Sequence, residues 1–134
     1  MKIRDIIRPL LQEIYQDDPW KMLVCCILLN LTKRQQVDGI RHELFSRYPT
    51  EYHMIEADEE ELAELLKPLG LYRRRAKTLI KFSWMWVNGF NNVMELHGVG
   101  QYASDSWEIF QMNNVRIKPK DKVLQEYLRV EHGA

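Results

Sequence analysis

Cysteine is scarce in this sequence, and its scarcity limits the metal chemistry open to the protein. The two cysteines among the 134 residues are neighbours, Cys25 and Cys26, in an apolar stretch. An iron–sulfur cluster needs four protein ligands, adjacent cysteines rarely bridge each other, and the four scattered histidines lack the spacing of a zinc site. We therefore expect two buried thiols, no iron–sulfur cluster and no required metal.

Long apolar runs are also missing. No stretch approaches the ~18 residues that a membrane helix needs, and charges interrupt the first eight positions, unlike the apolar segment of a signal peptide. The chain is nevertheless 46% apolar, with four Trp and six Met, which argues against disorder. We expect one soluble, monomeric domain over residues 1–134 with no membrane partner. Its predicted location is intracellular, in the nucleus of a eukaryote, or in the cytoplasm or nucleoid if the source is prokaryotic or viral.

The net charge is zero, but the charges are segregated along the chain. Residues 51–64 hold seven acids and no Lys or Arg, whereas residues 67–81 hold six Lys or Arg and no acids. A second basic cluster, Arg116, Lys118, Lys120 and Lys122, surrounds Asp121. The acidic run is interpreted as a solvated face. The basic runs lie beside a glycine-rich turn, which favours a phosphate-binding stripe.

Strand patterns of useful length are absent, and helical spacing runs through most of the chain, so the fold class is all-α. Apolar residues recur at helical spacing over residues 2–16, with Pro9 placed in the first turn. The segment from Trp20 to Leu31 is apolar almost all round, as in a central buried helix. The helix that begins near residue 71 has an apolar face that includes Trp84. Other helices are predicted over 33–48, 51–66, 101–112 and from near Pro119 onward.

The turn at residues 96–100 is the strongest local signal in the chain. Gly98 and Gly100 lack a Cβ, so the backbone there can turn tightly and approach a ligand closely. Amides at the start of the following helix favour an anion, and the natural one is a DNA phosphate. The alternative is an ordinary corner between two helices.

The residues around this turn carry a family resemblance. Leu96-His97-Gly98-Val99-Gly100-Gln101-Tyr102 resembles the helix-hairpin-helix motif of the DNA glycosylase superfamily that includes endonuclease III. The loop from Ile117 to Lys122 resembles the one that carries that superfamily's catalytic aspartate. Three further stretches resemble the glycosylase domain of methyl-CpG-binding mismatch thymine glycosylases: residues 18–23, residues 66–72 with 75–78, and residues 95–106. Together these matches span roughly residues 8 to 130, in the family's order.

The resemblance implies a compact helical glycosylase domain with Asp121 as the catalytic carboxylate. Breaking the bond between C1′ and a base gives a cation-like sugar that a carboxylate stabilises, and the base must first leave the stack. The alternative is that Asp121 only caps the last helix. Bifunctional relatives carry a nucleophilic lysine where this chain has Tyr102. A phenol cannot form an imine, so we expect hydrolysis by water and no lyase activity. Tyr102 could instead be a core residue of the hairpin.

The same resemblance places the other site residues. Gln12, Tyr102 and the backbone near Leu11 would contact the extruded pyrimidine, although a lone Gln on a helix could simply be exposed. Leu31 takes the position of a wedge that fills the vacated stack; the mismatch branch usually has Arg there, and a buried Leu is the alternative. Leu71 would probe the widowed base. Val123 stands where that branch commonly has Lys.

The expected partner is double-stranded DNA with a mismatched or damaged base. The hairpin could also hold a Na⁺ or K⁺ ion at the backbone of Leu96 and Val99, as in relatives; no other cofactor is expected. Arg73, Arg74 and Arg75 are adjacent, about 100° apart on a helix, so only one or two of them can reach DNA. The predicted phosphate contacts are Gly98, Val99, Gly100, Gln101, Lys33, Lys67, Arg75, Lys77 and Lys118.

The leading functional hypothesis is a monofunctional glycosylase that removes uracil or thymine opposite guanine in base excision repair. A second hypothesis changes the base to an oxidised or hypermodified pyrimidine such as 5-hydroxymethyluracil, since one or two contacts set that choice. A third is a non-catalytic DNA-binding module, for which Asp121 would be dispensable. A helical protein-interaction domain ranks last, because it leaves the hairpin and the basic stripe unexplained.

Overall fold

A computed structural model describes residues 6–133, and over that range the chain forms helices, turns and loops without a strand. The predicted all-α class is confirmed. Short 3₁₀ turns at Lys67–Leu69 and Val93–Glu95 precede α6 and the hairpin. The helices are α1 Leu11–Ile14, α2 Pro19–Leu28, α3 Arg34–Arg47, α4 Glu51–Ile55, α5 Glu59–Leu66, α6 Tyr72–Asn88, α7 Gln101–Phe110 and α8 Lys122–His132. Within the described range, no helix combines the length and the apolar character needed to cross a membrane.

The central helix is α2, as its apolar sequence predicts. Every residue from Met22 to Leu28 is buried, while α1, α6 and α7 pack around it and α4 and α5 pack against α6. Asp18 begins this helix, because its side chain accepts the Lys21 amide N–H at 3.1 Å and Pro19 follows in the first turn. A smaller cluster formed by Ile109, Leu124 and Leu128 joins α8 to α7. The core thereby brings α1, α2, α7 and the start of α8 to one end of the molecule.

The first helix is shorter than the periodicity predicts. It covers only Leu11–Ile14, so it begins two residues after Pro9, which was expected in its first turn, and the helical spacing of residues 6–10 forms no helix; positions 2–5 lie outside the described residues. Leu10 is extended, with φ −64° and ψ 154°. The side chain of Arg34 donates to the carbonyls of Ile7 and Pro9, at 3.2 and 2.9 Å. A distant side chain therefore takes backbone acceptors that a helix would have used.

Two smaller expectations are also corrected. Trp84 is 56% exposed, because the buried stripe of α6 runs through Leu79, Phe82 and Ser83 and leaves its indole outside. The last helix begins at Lys122, not near Pro119. The predicted acidic helices and the helix after residue 33 are observed within a residue or two of their expected ends.

Candidate active site and DNA interface

A pocket of about 470 Å³ opens where α1, α2, α7 and the start of α8 meet. Its lining includes Gln12 from α1, Cys26 from α2, Tyr102 from α7 and Asp121 from the cap of α8. This volume lies in the range of small-ligand sites. The sequence-predicted base-pocket residues and the candidate catalytic carboxylate are thus neighbours in space, although they are spread over more than 100 positions of the chain.

Gln12 is buried, with 2% of its surface exposed, so the alternative of a simply exposed glutamine is wrong. Its Nε2 donates to the Tyr102 hydroxyl at 2.7 Å and to the Ser106 hydroxyl at 3.1 Å. Both amide hydrogens are used inside the protein, which leaves the carbonyl oxygen as the group that a ligand can use. Leu11 lines the pocket beside it. The sequence did not indicate Ser106 as a site residue, although Ser106 lies one turn after Tyr102 on α7 and so shares its face of the helix.

Tyr102 sits half-buried between the core and the pocket. Burial, followed by the nearby Cys26 thiol, raises the pKa of the Tyr102 phenol well above its usual value. The phenol therefore stays protonated at neutral pH. Because its oxygen already accepts from Gln12, its own O–H remains available as a donor.

Cys26 forms part of the pocket wall, which the sequence did not indicate. The thiol is buried as predicted, and burial raises the pKa of Cys26 to about 12, so it is a neutral group against any ligand. The wall between Gln12 and Cys26 is therefore uncharged and suits an uncharged ligand.

Asp121 both caps α8 and faces the pocket. Its Oδ2 accepts the Leu124 amide N–H at 2.9 Å, while the residue stays half-buried. The capping interpretation and the site interpretation are thus compatible, because one carboxylate has two oxygens. The exposed Lys120 and Lys122 flank it in sequence. A carboxylate held rigidly at a pocket wall can stabilise a positive charge that develops inside the pocket.

Two leucines project from the surface in left-handed backbone conformations. Leu31 has φ 61° and is 81% exposed, and Leu71 has φ 49° and is 51% exposed. The alternative of a buried Leu31 is therefore wrong. A left-handed conformation costs a non-glycine residue about 1–3 kcal/mol and is concentrated at functional sites. Exposed apolar side chains in strained loops, one of them on the pocket rim, are suited to enter a base stack.

The hairpin is packed against α6. Gly98 has φ +86°, and a Cβ there would lie 2.7 Å from the Thr78 methyl carbon. Gly100 is different: its φ of −103° is open to any residue, and a Cβ would meet nothing within 4 Å. The Val99 amide N–H closes the turn on the Leu96 carbonyl at 3.1 Å. Within this turn the fold requires glycine at position 98 only. At Gly100 the fold leaves room for a side chain at the start of α7.

Basic side chains of α6 face the hairpin. Arg74 and Lys81 share the face of Thr78, at spacings of four and three residues, and both lie near enough to His97 to affect it. Burial, with smaller contributions from Lys81 and Arg74, lowers the pKa of His97 below its usual value. The sequence alone does not distinguish Arg74 and Lys81 from the other basic residues of the run, because only the packing of the hairpin on Thr78 does so.

Arg75 was predicted to bind phosphate, and the structure contradicts that prediction. It is 8% exposed and donates to backbone carbonyls inside the protein, so it does not reach DNA. Lys67 is exposed and paired with Glu64 at 2.8 Å, a surface ion pair of small energy. The exposed candidates that remain are Gly98, Gly100, Gln101, Lys33, Lys77 and Lys118, whereas the side chain of Val99 is buried.

Comparison with known proteins assigns the family. Residues 24–128 match the model for the HhH-GPD superfamily base excision DNA repair protein, and the chain belongs to this superfamily. It is 40% identical over 128 residues to the methyl-CpG-binding domain protein 4-like protein of Arabidopsis thaliana, across 92% of this chain and 29% of that protein. It is 37% identical over 95 residues to a thymine/uracil-DNA glycosylase of Pyrobaculum aerophilum, across 65% of this chain and 41% of that protein.

The fold gives the same assignment. The structure of a thermostable thymine-DNA glycosylase superposes with a TM-score of 0.67 at 25% identity, across 72% of this chain and 48% of the other. The predicted superfamily and its helical glycosylase fold are therefore confirmed. The chain spans less than half the length of each of these three proteins.

Proposed function

We propose that this domain is a monofunctional DNA glycosylase that excises uracil or thymine opposite guanine. The observation that carries the proposal is the single pocket in which the Asp121 carboxylate, the Gln12 carbonyl and the Tyr102 hydroxyl meet beside the hairpin. The names of relatives in the thymine/uracil-DNA glycosylase group support the substrate class.

The chemistry follows from the position of Asp121. An extruded nucleotide places its base in the pocket and C1′ near the carboxylate. The C1′–N1 bond breaks, its electron pair leaves with the base, and the Asp121 charge stabilises the cation-like sugar. Water then adds to C1′ and loses a proton, and a proton returns to the base. The products are a free base and an abasic site in an unbroken strand.

Base selection is assigned to Gln12. Its free carbonyl oxygen matches the N3–H of uracil or thymine, whereas the N3 of cytosine is itself an acceptor and would oppose it. The protonated Tyr102 hydroxyl can donate to a carbonyl of the base. Because 5-hydroxymethyluracil carries the same N3–H, this arrangement also supports the alternative that the natural target is a modified pyrimidine.

Gln12→Leu should lower the single-turnover rate on a U·G duplex by about 5- to 150-fold. The variant removes the acceptor for N3–H and leaves two hydroxyls without their donor, a cost of about 1–3 kcal/mol. The matched control is Gln111→Leu, which removes a glutamine bound to the Gln16 carbonyl outside the pocket lining. An unchanged rate for Gln12→Leu would show that the pocket reads the base without this side chain.

The absence of lyase activity is proposed from Tyr102, which has no amine. Borohydride should trap no covalent complex with a U·G, T·G or 5-hydroxymethyluracil·G duplex, and strand breaks should form only after alkali. A glycosylase that carries lysine at this position serves as the positive control for trapping. Strand scission before alkali, or a trapped complex, would contradict the monofunctional mechanism. The same three duplexes determine which base is excised.

DNA is proposed to lie across the hairpin, with Leu31 in the vacated stack and Leu71 at the widowed base. The exposed hairpin amides, together with Lys33, Lys77 and Lys118, and with Arg74 and Lys81 beside His97, supply phosphate contacts. The backbone carbonyl oxygens of Leu96 and Val99 are neutral ligands of the type that coordinate Na⁺ and K⁺. These carbonyls would hold a monovalent ion beside a phosphate, as an addition to the direct contacts.

A further inference from the structure

Arg75 is a buried cation held by backbone carbonyls from two different loops. Its Nε donates to the Gly70 carbonyl at 2.8 Å, and one Nη donates to the Asn30 carbonyl at 3.1 Å. Longer contacts of 3.4 and 3.5 Å reach the carbonyls of Leu28 and Leu69. A buried charge is costly unless its donors are satisfied, and burial lowers the pKa of Arg75. Neutral carbonyls, rather than a carboxylate, therefore hold this group in place.

The two carbonyls bound most closely stand directly before the two exposed leucines. Asn30 precedes Leu31 and Gly70 precedes Leu71, and both leucines have the left-handed conformation described above. Arg75 therefore fixes each loop by a hydrogen bond to the residue directly before its exposed leucine. Among residues 6–133, Arg75 alone donates hydrogen bonds to backbone carbonyls of both the Leu31 loop and the Leu71 loop.

A second link joins the same two loops. The Gln36 carbonyl accepts the Lys33 amide N–H at 2.8 Å, and its Nε2 donates to the Pro68 carbonyl at 3.3 Å. The Thr32 hydroxyl donates to the Leu28 carbonyl at 2.6 Å. The loop around Leu31 is therefore bound on both sides of the leucine. Asn30 and Lys33 are linked through Arg75 and Gln36 to the loop of Leu71, and Thr32 is bound to the end of α2.

We propose that Arg75 is a positioning residue that makes Leu31 and Leu71 one rigid unit, so that both enter the duplex together when the base is extruded. The planar guanidinium suits this role, because its fork of donors can reach two loops at fixed angles, whereas a lysine ammonium acts as a single point. The proposal rests on the proposed function, since it assumes that the two leucines act on DNA. Arg75 lies outside the pocket lining and would act through the leucines alone.

Arg75→Met should therefore impair excision where a base pair must be opened and spare it where none exists. We expect the single-turnover rate on a U·G duplex to fall by about 100-fold, the scale of a 1 Å misplacement. On the same duplex with uracil opposite an abasic nucleotide, the rate should fall less than about threefold.

The control is Arg73→Met, which removes the same charge from the same helix. Arg73 makes no bond to either loop, so any loss of rate should be equal on both duplexes. Arg75→Lys tests the fork while it keeps the charge, and it decides the question if Arg75→Met does not fold.

A readout independent of catalysis uses 2-aminopurine placed next to an abasic analogue in duplex DNA. Binding of the wild-type protein should raise its fluorescence as Leu31 unstacks it. Leu31→Ala and Leu71→Ala should each reduce this signal, and their effects should be non-additive in the wild-type background but additive in Arg75→Lys.

The outcomes separate the two proposals. Equal losses on both duplexes, or non-additivity that survives in Arg75→Lys, would overturn the positioning role and leave Arg75 as a fold residue. If the wild-type protein excises no base but shows the coupled fluorescence change, the proposed catalytic function fails while the positioning role stands.

Discussion

Asp121→Asn should reduce the single-turnover rate of base excision by about 100- to 1,000-fold, with little change in the stability of the protein. The Asp121 Oδ2 accepts the Leu124 amide N–H at 2.9 Å, and an asparagine oxygen can accept the same bond, because Asn and Asp are comparable helix caps. The amide lacks the negative charge that, in the proposed mechanism, stabilises the cation-like sugar. Alkali-developed strand cleavage of a U·G duplex and thermal unfolding measure the two effects separately.

Asp121→Ala provides the comparison that separates capping from chemistry. Alanine loses the cap as well as the charge, so it should lower the free energy of unfolding by about 1 kcal/mol, while its rate should match that of Asp121→Asn. Binding of a duplex with an abasic analogue should persist in both variants. An Asp121→Asn variant as active as the wild type would remove the carboxylate from the mechanism. A wild-type protein that excises no base while it still binds DNA would favour the non-catalytic DNA-binding module.

Gly98→Ala should weaken DNA binding by about tenfold or more and destabilise the fold by about 2 kcal/mol, whereas Gly100→Ala should do neither to this extent. At Gly98 the new Cβ would lie 2.7 Å from the Thr78 methyl carbon and would occupy a backbone with φ +86°. Gly100 has φ −103° and open space, so alanine there should change stability by less than about 1 kcal/mol. Fluorescence anisotropy with an abasic duplex and thermal unfolding measure both variants.

The double variant Gly98→Ala with Thr78→Ser tests the cause of this effect. Serine removes the methyl group that the new Cβ would meet, so part of the lost stability should return, and the remainder reflects the positive φ. Full recovery would show that backbone conformation does not matter at Gly98. A Gly100→Ala variant as weak in DNA binding as Gly98→Ala would show that a phosphate approaches Gly100 so closely that no Cβ fits.

The helices were predictable where the apolar pattern of a segment matches its burial and a capping residue marks its start. The central α2 and the acidic pair α4 and α5 follow this rule, since their apolar spacing and their Asp or Thr caps agree. Helical spacing failed to mark the start of the first helix, because residues 6–10 continue the spacing while Arg34 binds the carbonyls of Ile7 and Pro9. It failed again at Trp84, because spacing alone does not define the edge of a buried stripe.

The site shows the same division. The glycines indicated the hairpin from local chemistry, and the resemblance to the superfamily then indicated Asp121 and Tyr102 as candidate site residues. Nothing local distinguishes Arg75 from Arg74, yet one binds carbonyls inside the protein and the other faces the hairpin. Adjacent positions on a helix point about 100° apart, and only the packed neighbours decide which direction is inside.

The sequence by itself determined the helical class and the superfamily, because periodicity and short motifs are properties of nearby positions. The tertiary structure alone decided that Gln12 bonds Tyr102 across 90 positions, that Leu31 is exposed, and that Arg75 joins two loops. These contacts depend on which segments of the chain pack together. Because buried polar groups are paired where the segments meet, the packing also decides which donors and acceptors remain free to bind a ligand.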